Sequence, residues 1–178
     1  MDTSYKFFEE TDVPEGELII SRTDFNGKIT FANEIFANIS GYSVDELIGQ
    51  PHSIVRHPDM PKSIFRDLWD TLKNGEIWKG YVKNIRKDRG YYWVYAEVSA
   101  MKKDNKFIGY KSMRSPVDID IKKEYQDKYD KLREEEEHIC RIVSNISFDN
   151  VEKLTALAKE EGIREDKIVD YILSDSLL

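Results

Sequence analysis

The 178-residue chain is 40% apolar and 12% aromatic, which is enough to build a core and unlike a disordered segment. Residues 1–116 hold 17 of the 27 basic and 17 of the 34 acidic side chains, so the whole net charge of −7 lies in the last 62 residues. An acidic tail on a neutral domain lacks the clustered cations that phosphates need and excludes nucleic acid as the partner.

The first 17 residues have no basic start and no apolar run, and no stretch reaches the roughly 18 apolar residues of a membrane span, so neither a signal peptide nor membrane insertion is expected. The single cysteine, Cys140, rules out an internal disulfide framework and a paired-thiol metal or redox site. The expected location is cytoplasmic.

In chain order, "LIISRTD" from Leu18 and "KITFA" after Asn26-Gly27 predict a β-hairpin, since both turn residues tolerate positive φ. Asn33 can cap a short helix in "EIFANIS", and Ser43 with Glu46 forms a capping-box pattern ahead of a second. Then comes "VRHPDMPKSIF", a loop with Arg56, His57 and Asp59 between prolines, followed by a helix striped by Ile64, Phe65, Leu68, Trp69 and Leu72. Three strands follow, in "WKGYVKNIRK", "YYWVYAEVSA" and "KFIGYKSMR", separated by polar turns. The order predicts an α+β fold: a five-stranded antiparallel sheet with short helices on one face.

Alternation in the third strand puts Trp78, Gly80, Val82 and Asn84 on one face. A tryptophan, a gap and an amide in a row suit either a lined cavity or a core face with one structural asparagine. Downstream, a helix from about Asp118 carries Tyr125, Tyr129, Leu132, Ile139, Val143 and Ile146 at 4-3 spacing, which suits a coiled coil or a helix folded back on its own domain. The residues after it read as two short helices around Gly162.

"FANEIFANISGYSVDELIGQP" resembles the start of a PAS domain, and "GQPHSIVRHPDMPKSIF", "LWDTLKNGEIWKGYVKNIRK" and "YYWVYAEV" resemble the FAD-binding PAS domain of bacterial aerotaxis receptors over about residues 14–116. The resemblance implies the PAS fold, an FAD between sheet and helices, and a non-catalytic energy sensor whose signal is flavin redox state. It implies cofactor contact for Arg56, His57 and Asp59 in the loop, for Trp69 and Trp78, and for Asn84 at the flavin edge, with Asn33 and Tyr92 lining the cavity. The chemistry agrees, since a pyrophosphate suits a guanidinium, an adenine a flat surface and a flavin edge amides.

For some of these residues a plainer role stays open: His57 as a loop histidine or a haem ligand, Trp69 as core, Asp59 as a helix cap. His52 stands where related light-sensing flavin domains carry their adduct-forming cysteine, so covalent photochemistry is not expected. Lys111 departs from the family pattern. Facing inward it puts a cation beside the flavin; one register step away it is a surface lysine.

The expected organisation is an N-terminal cap at 1–17, a PAS sensor domain at 18–116, a coiled-coil-like signalling helix at 117–146 and a small helical hairpin at 147–178. The expected partner is a membrane chemoreceptor-like signalling protein, with a homodimer through the 118–146 helix as a further expectation. A haem gas sensor and a small flavoprotein oxidoreductase are the competing functions.

Overall fold

A computed structural model describes residues 9–144 together with 159, 160, 162 and 164, with backbone alone at 142–144. The described chain divides into a unit ending at Tyr129 and a second beginning at Asp130. In order it forms β1 (Ile19–Thr23), β2 (Ile29–Ala32), α1 (Glu34–Ser40), α2 (Val44–Leu47), a 3-10 turn (His52–Val55), α3 (Lys62–Lys73), β3 (Trp78–Ile85), β4 (Tyr91–Lys103), β5 (Lys106–Ser115) and α4 (Ile119–Ser144).

The five strands make one antiparallel sheet, as the sequence predicts, and their order in it is β2-β1-β5-β4-β3. Local chemistry sets the boundaries. Asn33 and Ser43 cap α1 and α2, the latter with its capping box to Glu46 complete. Asp104 and Asn105 both take positive φ, 51° and 60°, which closes the β4–β5 hairpin with a twist matching its strands. The β1–β2 connection differs from the two-residue turn expected at Asn26-Gly27. Asp24 organises a longer loop, its Oδ1 accepting from the backbone N–H of Asn26 and Lys28, both at 2.9 Å.

Register decides which residues share a face. The inner face, toward α1 and α3, carries Ile19, Ser21 and Thr23 of β1, Trp78, Gly80, Val82 and Asn84 of β3, Tyr92, Val94 and Ala96 of β4, and Tyr110, Ser112 and Arg114 of β5. Lys111, paired with Arg22 and Ser99, is on the outer face. The inward placement of Lys111 is therefore corrected: the strand alternates one step from that reading, and the cation it brings inside is Arg114.

The first three turns of α4 lie on the outer face. Tyr125 packs on Tyr81 with ring centroids 4.2 Å apart, Tyr129 stacks on Trp93 at 6.0 Å, and the Tyr129 hydroxyl donates to the Tyr81 carbonyl at 2.6 Å. The seam expected to begin at Tyr125 and Tyr129 is thus taken up by the chain's own sheet. The second unit continues α4 along Asp130–Arg133 and Glu137–Arg141 ion pairs. The hairpin expected at 147–178 lies, but for four isolated positions, outside the described residues.

Candidate functional site

The inner face holds a cluster of polar groups that a plain core would not contain. Arg114 Nη2 donates to Ser21 Oγ at 3.0 Å and to His52 Nε2, and its guanidinium lies 5.1 Å from the centre of the Phe36 ring. The imidazole of His52 stacks on the same ring at 5.8 Å. Burial, with the nearby charges of Arg114 and Arg56, pulls the pKa of His52 down to about 3, so the ring is neutral and Nε2 accepts. Burial lowers Arg114 to about 10, which leaves it a cation at neutral pH. No carboxylate among the described residues reaches ion-pair distance of it.

Three buried polar atoms on this face have no hydrogen-bond partner among the described residues: Arg114 Nη1, Ser112 Oγ and Tyr92 Oη. Asn84, 4% exposed, lies beside the Tyr92 hydroxyl and favours its ionised form, although the pair falls short of hydrogen-bond geometry; burial dominates and raises the Tyr92 pKa. An unpaired buried donor costs about 1–3 kcal/mol, so three on one surface are an arrangement that a polar ligand would relieve. The covering helix fits the same reading. Along α3 only Leu72 of the apolar stripe is buried, while Ile64, Phe65 and Leu68 are half-buried and Trp69 is 38% exposed.

The expected site residues separate into groups. Asn84, Tyr92 and Trp78 share the inner face. The Trp78 indole donates to Asp67 of α3 at 2.7 Å and lies over Gly80, where an added Cβ would come within 2.5 Å of the ring. The space expected beside Gly80 is therefore filled by the Trp78 ring. Arg56 is half-buried, its guanidinium 3.8 Å from the centre of the Phe65 ring, and its backbone bridges Asn84. Burial lowers its pKa. Trp69 meets Tyr110 edge-on at 5.3 Å, at the far end of the inner face.

The remaining expected residues stand apart. Asn33 commits its amide to backbone, accepting from Ile20 and Phe36 and donating to the Leu18 carbonyl at 2.8 Å. His57 and Asp59 run along the open edge of β3. There Nδ1 of His57 accepts from the Asp59 backbone at 3.1 Å, and Asp59 pairs with Lys83 at 3.0 Å. His57 is packed against Tyr91 rather than turned to the inner face.

Sequence reasoning missed Arg114, Ser112 and Ser21. The available signal was the alternation of β5, whose second face, Ile108, Tyr110, Ser112 and Arg114, ends in a cation two residues before Pro116.

Comparison with known proteins fits this geometry. Residues 29–113 match the model of the PAS fold. The chain is 48% identical over 107 residues to the aerotaxis receptor of Escherichia coli (strain K12), covering 60% of this chain and 21% of the receptor. It is 32% identical over 89 residues to the nitrogen fixation regulatory protein of Klebsiella pneumoniae, covering 50% and 18%. This chain thus aligns with about a fifth of the length of these curated relatives.

Among solved structures, a light-oxygen-voltage domain studied with a flavin analogue superposes with a TM-score of 0.54 at 20% identity, over 62% of this chain and 84% of that one. The PAS domain of a Colwellia psychrerythraea protein superposes at 0.52 and 23% identity, over 56% and 86%. Among the described residues no helix is long and apolar enough to cross a membrane. The described residues have the PAS fold, and the chain is similar in sequence to the aerotaxis receptor.

Proposed function

We propose that this PAS domain is a flavin-binding signalling sensor, holding FAD between the inner sheet face and α3. The observation that carries the reading is the set of buried, unpartnered groups on that face, Arg114 Nη1, Ser112 Oγ and Tyr92 Oη, with the Asn84 amide beside them. A heteroaromatic ring edged with carbonyls and ring nitrogens offers these groups the partners they lack. Sequence similarity to the aerotaxis receptor and fold similarity to a domain studied with a flavin analogue support the same choice.

In this reading Trp78 and the α3 stripe supply flat apolar walls, and Asn84 and Tyr92 orient the ring edge. When bound, FAD would supply reversible electron uptake. Arg114 and Arg56, cations with no carboxylate contact among the described residues, favour a ligand in its more negative state. The output is a change of domain conformation passed to a signalling partner, not a chemical product. The haem alternative has less support, because His57, its candidate ligand, packs at the strand edge against Tyr91.

An absorption spectrum of freshly purified protein tests the proposal. Flavin bands, with FAD recovered after denaturation, are expected. A Soret band, or a colourless protein that ignores added FAD, would overturn it. In the flavin-loaded protein Arg114→Gln is expected to lower the midpoint potential; an unchanged potential removes Arg114 from the ring's surroundings.

A further inference from the structure

The loop of residues 56–60 grips β3 from both sides of the strand. Asn84 faces inward and its backbone bridges Arg56. One residue earlier, alternation turns Lys83 away from that face. There its Nζ donates to Asp59 Oδ2 at 3.0 Å and to Gln126 Oε1 at 3.2 Å, and lies 4.4 Å from the centre of the Tyr91 ring. The Lys83 backbone N–H is held as well, by Met60 Sδ at 3.3 Å.

The Lys83 side chain is only 10% exposed. A buried ammonium requires partners, and those it has come from two different elements: Asp59 from the loop that bridges Asn84, and Gln126 from the part of α4 that packs on the outer face.

We propose that Lys83 is the coupling residue through which a change at the inner face reaches α4. A shift of the Asn84 backbone moves the adjacent residue and the loop bridged to it. The ammonium then trades its hold on Gln126 against its hold on Asp59, and the α4 segment up to Tyr129 loosens or tightens on the sheet. Lys83 acts through Gln126 and Asp59 and touches no ligand. The inference rests on reading the inner face as a ligand site.

Amide hydrogen exchange across residues 119–129 of the full chain tests it, as a cycle of Asn84→Ala against Lys83→Met. Asn84→Ala is expected to change exchange in this segment by about fivefold in the parent. Lys83→Met alone is expected to speed it by about tenfold, the loss of a charge-assisted bond. In the Lys83→Met background the effect of Asn84→Ala is expected to vanish. Gln126→Leu, which leaves Lys83 on Asp59, is expected to give the same result and keeps the test readable should Lys83→Met fold poorly.

An Asn84→Ala effect that persists at full size in both backgrounds, or that never reaches 119–129 in the parent, overturns the proposal. Flavin absorbance on the same samples reads the ligand separately. A colourless protein sinks the flavin reading, while the cycle, which needs no flavin, still decides the coupling.

Discussion

The two faces of the sheet are built from similar residue types to opposite ends. On the outer face, tyrosines and a tryptophan from β3, β4 and α4 pack ring on ring, and the polar atoms among them are paired: Tyr129 with the Tyr81 carbonyl, Lys83 with Asp59 and Gln126. On the inner face a tyrosine, a serine and an arginine are buried with polar atoms left over. The outer face is complete as a protein surface. The inner face carries a polar deficit that the described residues do not fill, and such a deficit persists where it serves function.

The largest expected effect separates the faces by tryptophan. Trp78→Ala and Trp93→Ala each remove a buried indole and should cost about 3–5 kcal/mol in urea denaturation. They should part company in ligand uptake: only Trp78→Ala is expected to empty the protein of flavin. Gly80→Ala sharpens the contrast without truncating a ring, because its Cβ would meet the Trp78 indole at 2.5 Å. Its expected cost is about 1–3 kcal/mol, with flavin uptake impaired. Equal flavin loss from Trp93→Ala would erase the distinction between the faces.

This contrast also explains what was legible in the sequence. Strands and caps follow from periodicity and capping chemistry, and they stand where "KITFA" and Ser43/Glu46 put them. β3 was readable because its inner face is apolar but for Asn84. β5 was not, because its inner face is the polar one, so Ser112 and Arg114 look like solvent residues and Lys111 takes the inward place by default. A binding face inverts the inside-apolar rule, so the rule misreads the strand where the site is most polar. In the loop "RHPDM" the residues divide: His57 and Asp59 bond to each other and to Lys83 at the strand edge, while Arg56 lies over the Phe65 ring.

Acid should break the inner face first. His52 has a folded pKa of about 3 against 6.5 for the free side chain. Between those values the unfolded chain binds a proton that the folded chain does not. Its contribution to stability is therefore complete above about pH 6.5 and is lost as pH falls toward 3, at up to about 1.4 kcal/mol per pH unit. His52→Gln keeps an acceptor for Arg114 but removes the titration. Unfolding free energy plotted against pH from 6 to 4 should fall less steeply in the variant than in the parent, by about 1 kcal/mol per unit. Parallel slopes would mean that His52 titrates as an ordinary surface histidine.

The smallest expected effect is the sharpest, because one chemical change is made on each face. Tyr129→Phe removes a hydroxyl that donates to the Tyr81 carbonyl at 2.6 Å, and should destabilise by about 1 kcal/mol. Tyr92→Phe removes a fully buried hydroxyl that has no hydrogen-bond partner among the described residues. In flavin-free protein its loss should therefore be neutral, or stabilising by up to about 1 kcal/mol, since an unmet desolvation penalty goes with it. The same atom is deleted, with opposite sign. Paired urea titrations on flavin-free protein read the difference directly. With FAD added the order should reverse, Tyr92→Phe weakening uptake while Tyr129→Phe leaves it unchanged. If Tyr92→Phe instead costs as much as Tyr129→Phe without any ligand, the Tyr92 hydroxyl is already paired within the protein. The inner face is then as complete as the outer one, and the argument for a bound ring loses its first support.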